Sequence, residues 1–147
     1  MSVCRKCGGL VLGLCLLVLI GPVTPGWGYD SGVTVRTVLK STTAGNGQAL
    51  EYMRTERPEV TAAVVEIAPG ASTGWHLHRV PVYAYVMEGT LKVLLDGGTE
   101  ITFEKGQAIL EVRNTAHNGI NIGKETVRLI VFYTGAVGEP LSEKVER

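Results

Sequence analysis

Gly70-Ala-Ser-Thr-Gly-Trp-His76-Leu-His78-Arg-Val-Pro-Val82-Tyr-Ala-Tyr-Val-Met-Glu-Gly89 decides how the rest of the chain is read. It carries two of the three histidines in the sequence, one residue apart. Alternate residues of a strand project from the same face. An extended segment over 75–78 therefore turns His76 and His78 the same way, and the third histidine, His117, is the candidate to close a metal site with them.

Working outward, the flanking segments read as short strands parted by glycine-rich turns. Residues 60–68 (VTAAVVEIA) form a β-branched run stopped by Pro69-Gly70. Residues 82–87, 90–95, 99–103, 107–113 and 126–134 are further strands, and Asp96-Gly97-Gly98 between two of them is a hairpin signal. Residues 114–123 carry His117. Upstream, residues 33–39 alternate and predict a strand, residues 40–48 a loop around Gly45-Asn46-Gly47, residues 49–54 a short strand and residues 56–59 a charged turn. Residues 135–147 predict a loose tail or a short terminal helix. No long helical period follows the first segment, and the 19 glycines suit an all-β barrel or sandwich.

Residues 1–28 are read apart from the fold. Arg5 and Lys6 precede an apolar run over 8–20, broken by Gly21-Pro22. That is the order of a secretory signal peptide, with cleavage expected after Gly28; the run is shorter than the roughly 20 residues of a spanning helix, the rival reading as an uncleaved anchor. All three cysteines, Cys4, Cys7 and Cys15, lie in this segment, so the mature chain has no thiol, which suits a periplasmic or secreted protein. Without Arg5 and Lys6 there remain 12 basic and 14 acidic residues and no basic stripe. Neither nucleic acid nor a stable membrane contact after cleavage is expected. The expected organisation is a signal peptide over 1–28, N-terminal strands and linker over 29–59, a barrel core over 60–134 and a tail over 135–147.

These residues resemble the cupin family. Its first motif runs Gly, five residues, His-x-His, three or four residues, Glu, six residues, Gly. Gly70, His76, His78 and Gly89 fall at those spacings. In the second motif Gly106, His117 and Asn121 match, with Val112 at the proline position and Asn114 at a glycine. The resemblance covers roughly residues 60–133 and accounts for every histidine. It departs at the glutamate: three residues after His78 puts Val82 there, and the spacing to Gly89 agrees. In cupins that glutamate is usually a metal ligand. The resemblance therefore implies three imidazoles without it, a set that some cupin dioxygenases share. It also implies a single-domain double-stranded β-helix, or jelly-roll cupin barrel, with an internal pocket. Homodimers formed by strand exchange or sheet contact are common in the family.

Three imidazoles suit iron, zinc, copper or nickel, and loss of the carboxylate disfavours manganese. Three protein ligands leave open positions for a small-molecule ligand. Glu111 lies in an apolar run (AILEV), where a charge is costly to bury unless paired or ligated. It is either a fourth ligand or base facing the pocket, or an outward residue on the face of Ile109 and Arg113. Val82, Ala84 and Val86 share one face and, with Asn121, are expected to line the pocket. No acid–base pair stands out, so no catalytic residue is assigned. Two classes of function follow: an exported metal-dependent enzyme acting on a small molecule, an oxygenase or isomerase, or a non-catalytic cupin that binds a small ligand or metal.

Overall fold

A computed structural model describes residues 28–146 of the chain. The expected signal segment, apart from Gly28, lies outside the described residues. The chain divides into two units, Met1–Val35 and Arg36–Arg147. Of the first, residues 28–35 are described; they are exposed and form no strand. The barrel lies in the second.

Among the described residues the regular elements are nine strands and no helix. In chain order they are β1 (Pro58–Ile67), β2 (His76–Leu77), β3 (Val82–Glu88), β4 (Thr90–Leu95), β5 (Glu100–Glu104), β6 (Ala108–Leu110), β7 (His117–Asn121), β8 (Val127–Ala136) and β9 (Glu143–Lys144). They form two antiparallel sheets, β1-β8-β3-β6 and β5-β4-β7-β2-β9. The chain passes back and forth between the sheets, which is the jelly-roll path.

Side-chain alternation explains why these segments are strands. In β8, Val127, Leu129 and Val131 are buried while Arg128 and Phe132 point outward. In β3, Val82, Ala84 and Val86 are buried. The register sets Ala84 opposite both Val131 and Ile109, so three strands bury one apolar face together. Each valine, leucine or isoleucine on it contributes roughly 1.5–3 kcal/mol when fully buried. The β3–β4 turn requires Gly89: its φ is 81°, and a Cβ there would stand 2.9 Å from the Val127 Cα.

Several sequence expectations shift. Residues 33–39 form no strand, and Val33 and Val38 are about half exposed. Alternating β-branched residues favour extended backbone, but a strand also needs a partner, and this segment pairs with none. Residues 49–54 form no strand either; Ala49 makes a single bridge to Thr43 that closes the 41–50 loop. β1 starts at Pro58, inside the expected turn, because a proline at the first strand position costs no ladder bond. β6 stops at Leu110, short of Arg113. The tail is neither loose nor helical: β9 pairs with β2, setting His76 opposite Lys144 and Leu77 opposite Glu143.

Candidate metal centre

The three histidines come from two adjacent strands and the turn after one of them. His76 on β2 faces His117 at the start of β7 in direct register. His78 follows β2 and bridges Arg113. Asn114, at the family's glycine position, adopts φ 56°, a conformation asparagine tolerates better than most residues. It donates its backbone N–H to the His78 carbonyl (2.9 Å) and accepts from Arg79 through Oδ1 (3.4 Å). The ring centroids lie 4.4–5.0 Å apart. The three imidazoles offer one nitrogen each, all within 4.8 Å of one another, and His78 and His117 are buried.

Every Nδ1 is occupied by a backbone carbonyl: Gly74 for His76 (2.9 Å), Leu141 for His78 (2.6 Å) and Thr115 for His117 (3.0 Å). A carbonyl oxygen only accepts, so each Nδ1 carries the proton. Each neutral ring then presents the Nε2 lone pair, the arrangement in which an imidazole is fixed for metal binding. His117 Nε2 is buried with no hydrogen-bond partner. A buried polar atom in that state calls for an occupant.

Glu111 joins the cluster. Its Oε2 is 3.0 Å from His78 Nε2 and 3.3 Å from His117 Nε2. The second approach is electrostatic and lacks hydrogen-bond geometry, consistent with the unpartnered His117 nitrogen. The backbone explains this placement. Glu111 N–H donates to the Val82 carbonyl (3.0 Å), one step beyond the β3–β6 pairs Tyr83–Leu110 and Ala84–Ile109. Glu111 therefore stands opposite Val82, and opposed residues share a face. Position 82 carries no carboxylate, and the Glu111 carboxylate reaches the histidines from the residue that follows β6. Glu111 lies beside His78 and His117 rather than on an outward salt-bridged face.

Electrostatics follow from this packing. Burial opposes ionisation of Glu111, but His117 and His78 outweigh it and hold its carboxyl down at about 2. Burial also opposes protonation of His117, yet the Glu111 carboxylate and the Thr115 carbonyl raise it above the ordinary value. His76 is lowered, first by burial and then by its two histidine neighbours. Three lone pairs and a carboxylate converging in a buried space favour a cation, either protons or a metal ion. The donor set and the orphaned nitrogen fit a divalent metal.

The cluster opens into a cavity of about 80 Å³. Residues of both sheets wall it, among them Val65, Ile67, Leu91, Val93, Phe103, Leu129, Val131 and Tyr133. Val82, Ala84 and Val86 were expected here; they turn inward into the same core as Ile109, Leu129 and Val131 but do not line this cavity. Strands β4 and β5 supply the cavity face instead. Asn121 is also displaced from the expected role. It is buried and fully engaged, with Nδ2 donating to the Ile67 and Glu125 carbonyls (2.8 Å each) and Oδ1 accepting from Gly123 N–H (2.9 Å). Its work is to tie the end of β7 to β1.

Residues 63–133 match the family model described as a cupin domain. The cupin fold here is similar to that of the polyketide cyclase RemF from Streptomyces resistomycificus, with 26% identity and a TM-score of 0.52 over 60% of this chain and 61% of that one. It is similar to the Cnp3 cupin domain of Schizosaccharomyces pombe, at 24% identity and a TM-score of 0.50 over 58% and 62% of the two chains. An oxalate oxidase shares 24% identity at a TM-score of 0.50, over 58% of this chain and 46% of that one. The chain thus spans less than two thirds of each of these relatives. No curated protein matches it significantly.

Two contributors lie outside the reach of motif reading. Tyr133 lines the cavity, with its ring 5.7 Å from that of His78. It continues the inward alternation of Val127, Leu129 and Val131, a signal that does mark it. The Leu141 carbonyl carries no such signal, because any residue supplies a carbonyl. The tail that delivers it is held by Glu143 to Arg79 (3.1 Å) and by Val145 N–H to the Trp75 carbonyl (2.9 Å).

Proposed function

We propose that this is an exported cupin protein that holds a divalent metal through Nε2 of His76, His78 and His117, with Glu111 as a fourth ligand or adjacent base, and that presents the ion to a small molecule in the apolar cavity. One observation carries the reading. All three Nδ1 atoms are committed to backbone carbonyls, so three Nε2 lone pairs converge beside a carboxylate, and one of those nitrogens is buried without a partner. Export rests on the signal-like order of residues 1–28.

Bound there, a divalent ion would supply Lewis acidity toward a ligand oxygen, nitrogen or sulfur. The protein's own part is to fix the three imidazoles, hold a proton acceptor at Glu111 and keep water from the apolar wall. Glu111 also changes the choice of ion. The case against manganese rested on a missing carboxylate; with three nitrogens and one carboxylate oxygen, manganese stands beside iron, zinc, copper and nickel. Two of the structural neighbours named above, a polyketide cyclase and an oxalate oxidase, do different chemistry, so the reaction is argued from the site alone.

The test is elemental analysis of purified protein after dialysis against each ion. About one equivalent should be retained by the wild type, and His76→Ala, His78→Ala and His117→Ala should each lose it while staying folded. Equal metal content in all four proteins would refute the assignment.

A further inference from the structure

The cavity differs sharply between its two ends. Its polar side chains all belong to one cluster: Glu111 touches His78 and His117, Thr73 Oγ1 is 3.4 Å from His76 Nδ1, and Tyr133 packs on His78. Away from that cluster the wall is Val65, Leu91, Val93, Phe103, Leu129 and Val131. No lysine or arginine is among the described lining residues. A charge on the far part of a ligand would be stripped of water with nothing to pair it.

The charge at the polar end narrows the choice further. A divalent ion with the Glu111 carboxylate leaves one net positive charge in a buried site. A singly charged ligand cancels it, and a doubly charged one overshoots with no cation in the wall to answer it. The size is also limiting. An apolar cavity of about 150 Å³ holds benzene, and this one measures about 80 Å³. A tail of a few carbon atoms fills it beyond the cluster.

We propose that the site takes short amphiphilic monoanions: one carboxylate, enolate or thiolate head directed at the ion that the histidines and Glu111 would hold, and an uncharged apolar tail of a few carbons lying against β4, β5 and β8. This rests on the metal reading above and goes further by assigning the ligand class to the wall. Fold neighbours do not imply it, since it follows from which side chains this chain places on the cavity face.

The test is calorimetric titration of zinc-reconstituted protein, its zinc content measured first, with acetate, propionate, butyrate and succinate. Affinity should rise about fourfold per methylene from acetate to butyrate. Succinate, which matches butyrate in length but carries a second carboxylate at the far end, should bind at least tenfold more weakly than butyrate. Retained zinc with no dependence on chain length, or succinate binding as tightly as butyrate, would overturn the inference while leaving the metal centre intact. Failure to retain zinc would overturn the centre and this inference with it.

Discussion

Ending the chain at Pro140 removes the Leu141 carbonyl that fixes the His78 tautomer, and should weaken metal binding without unfolding the barrel. The structure sets the sizes. The lost contacts are a two-residue edge strand, one backbone bond from Val145 to Trp75 and the Arg79–Glu143 ion pair, in which both side chains are well exposed. A backbone hydrogen bond is worth about 1 kcal/mol net, and an exposed ion pair at most about 1. The sum is small beside the 5–15 kcal/mol of a typical domain. The metal-side loss is larger in proportion. Removing the partner of a ligating histidine's second nitrogen typically costs 10–100-fold in affinity, or about 1.4–2.7 kcal/mol. Zinc competition against a chromophoric chelator measures that loss, and far-UV circular dichroism melts of the same samples check the fold. A truncated protein that melts as expected yet binds zinc within threefold of the full chain would refute the claim that the tail orients His78.

Two further outcomes follow. Glu111→Val should lose at least tenfold in metal affinity, and adding Val82→Glu should recover most of it, because positions 82 and 111 face each other across β3 and β6; competition assays on the single and double variants decide it, and no recovery would place position 82 away from the centre. In metal-free protein the depressed Glu111 carboxyl adds stability above its ordinary 4.5 that is lost as pH falls toward about 2. The raised His117 adds stability below its ordinary 6.5 that is lost as pH climbs through its elevated value. Urea unfolding with chelator should therefore show greatest Glu111-dependent stability between about 4.5 and 6.5, and Glu111→Gln should flatten that maximum.

Much of this was legible from residue order, for identifiable reasons. His76, His78 and His117 announce themselves because ligand chemistry needs that residue type at those spacings. The strands from β3 to β8 show through their inward alternation and the glycine turns between them. Three things escaped. Residues 33–39 have strand composition but pair with no other strand, which local composition does not reveal. The tail became β9 through a partner more than sixty residues away, a contact that local composition cannot encode. Val82, Ala84 and Val86 do turn inward, but alternation says which face is buried and not whether a cavity or packed core lies beneath it. Glu111 was half legible: its charge in an apolar run demanded a partner, and only strand register placed it opposite Val82 among the histidines.

The most direct measurement is X-ray absorption at the metal edge of the zinc-loaded protein. Three imidazole nitrogens at about 2.0–2.1 Å with an added oxygen ligand, the imidazole scattering falling on substitution of His117, is the result this account predicts. A shell of light oxygen ligands alone, unchanged in His117→Ala, would contradict it.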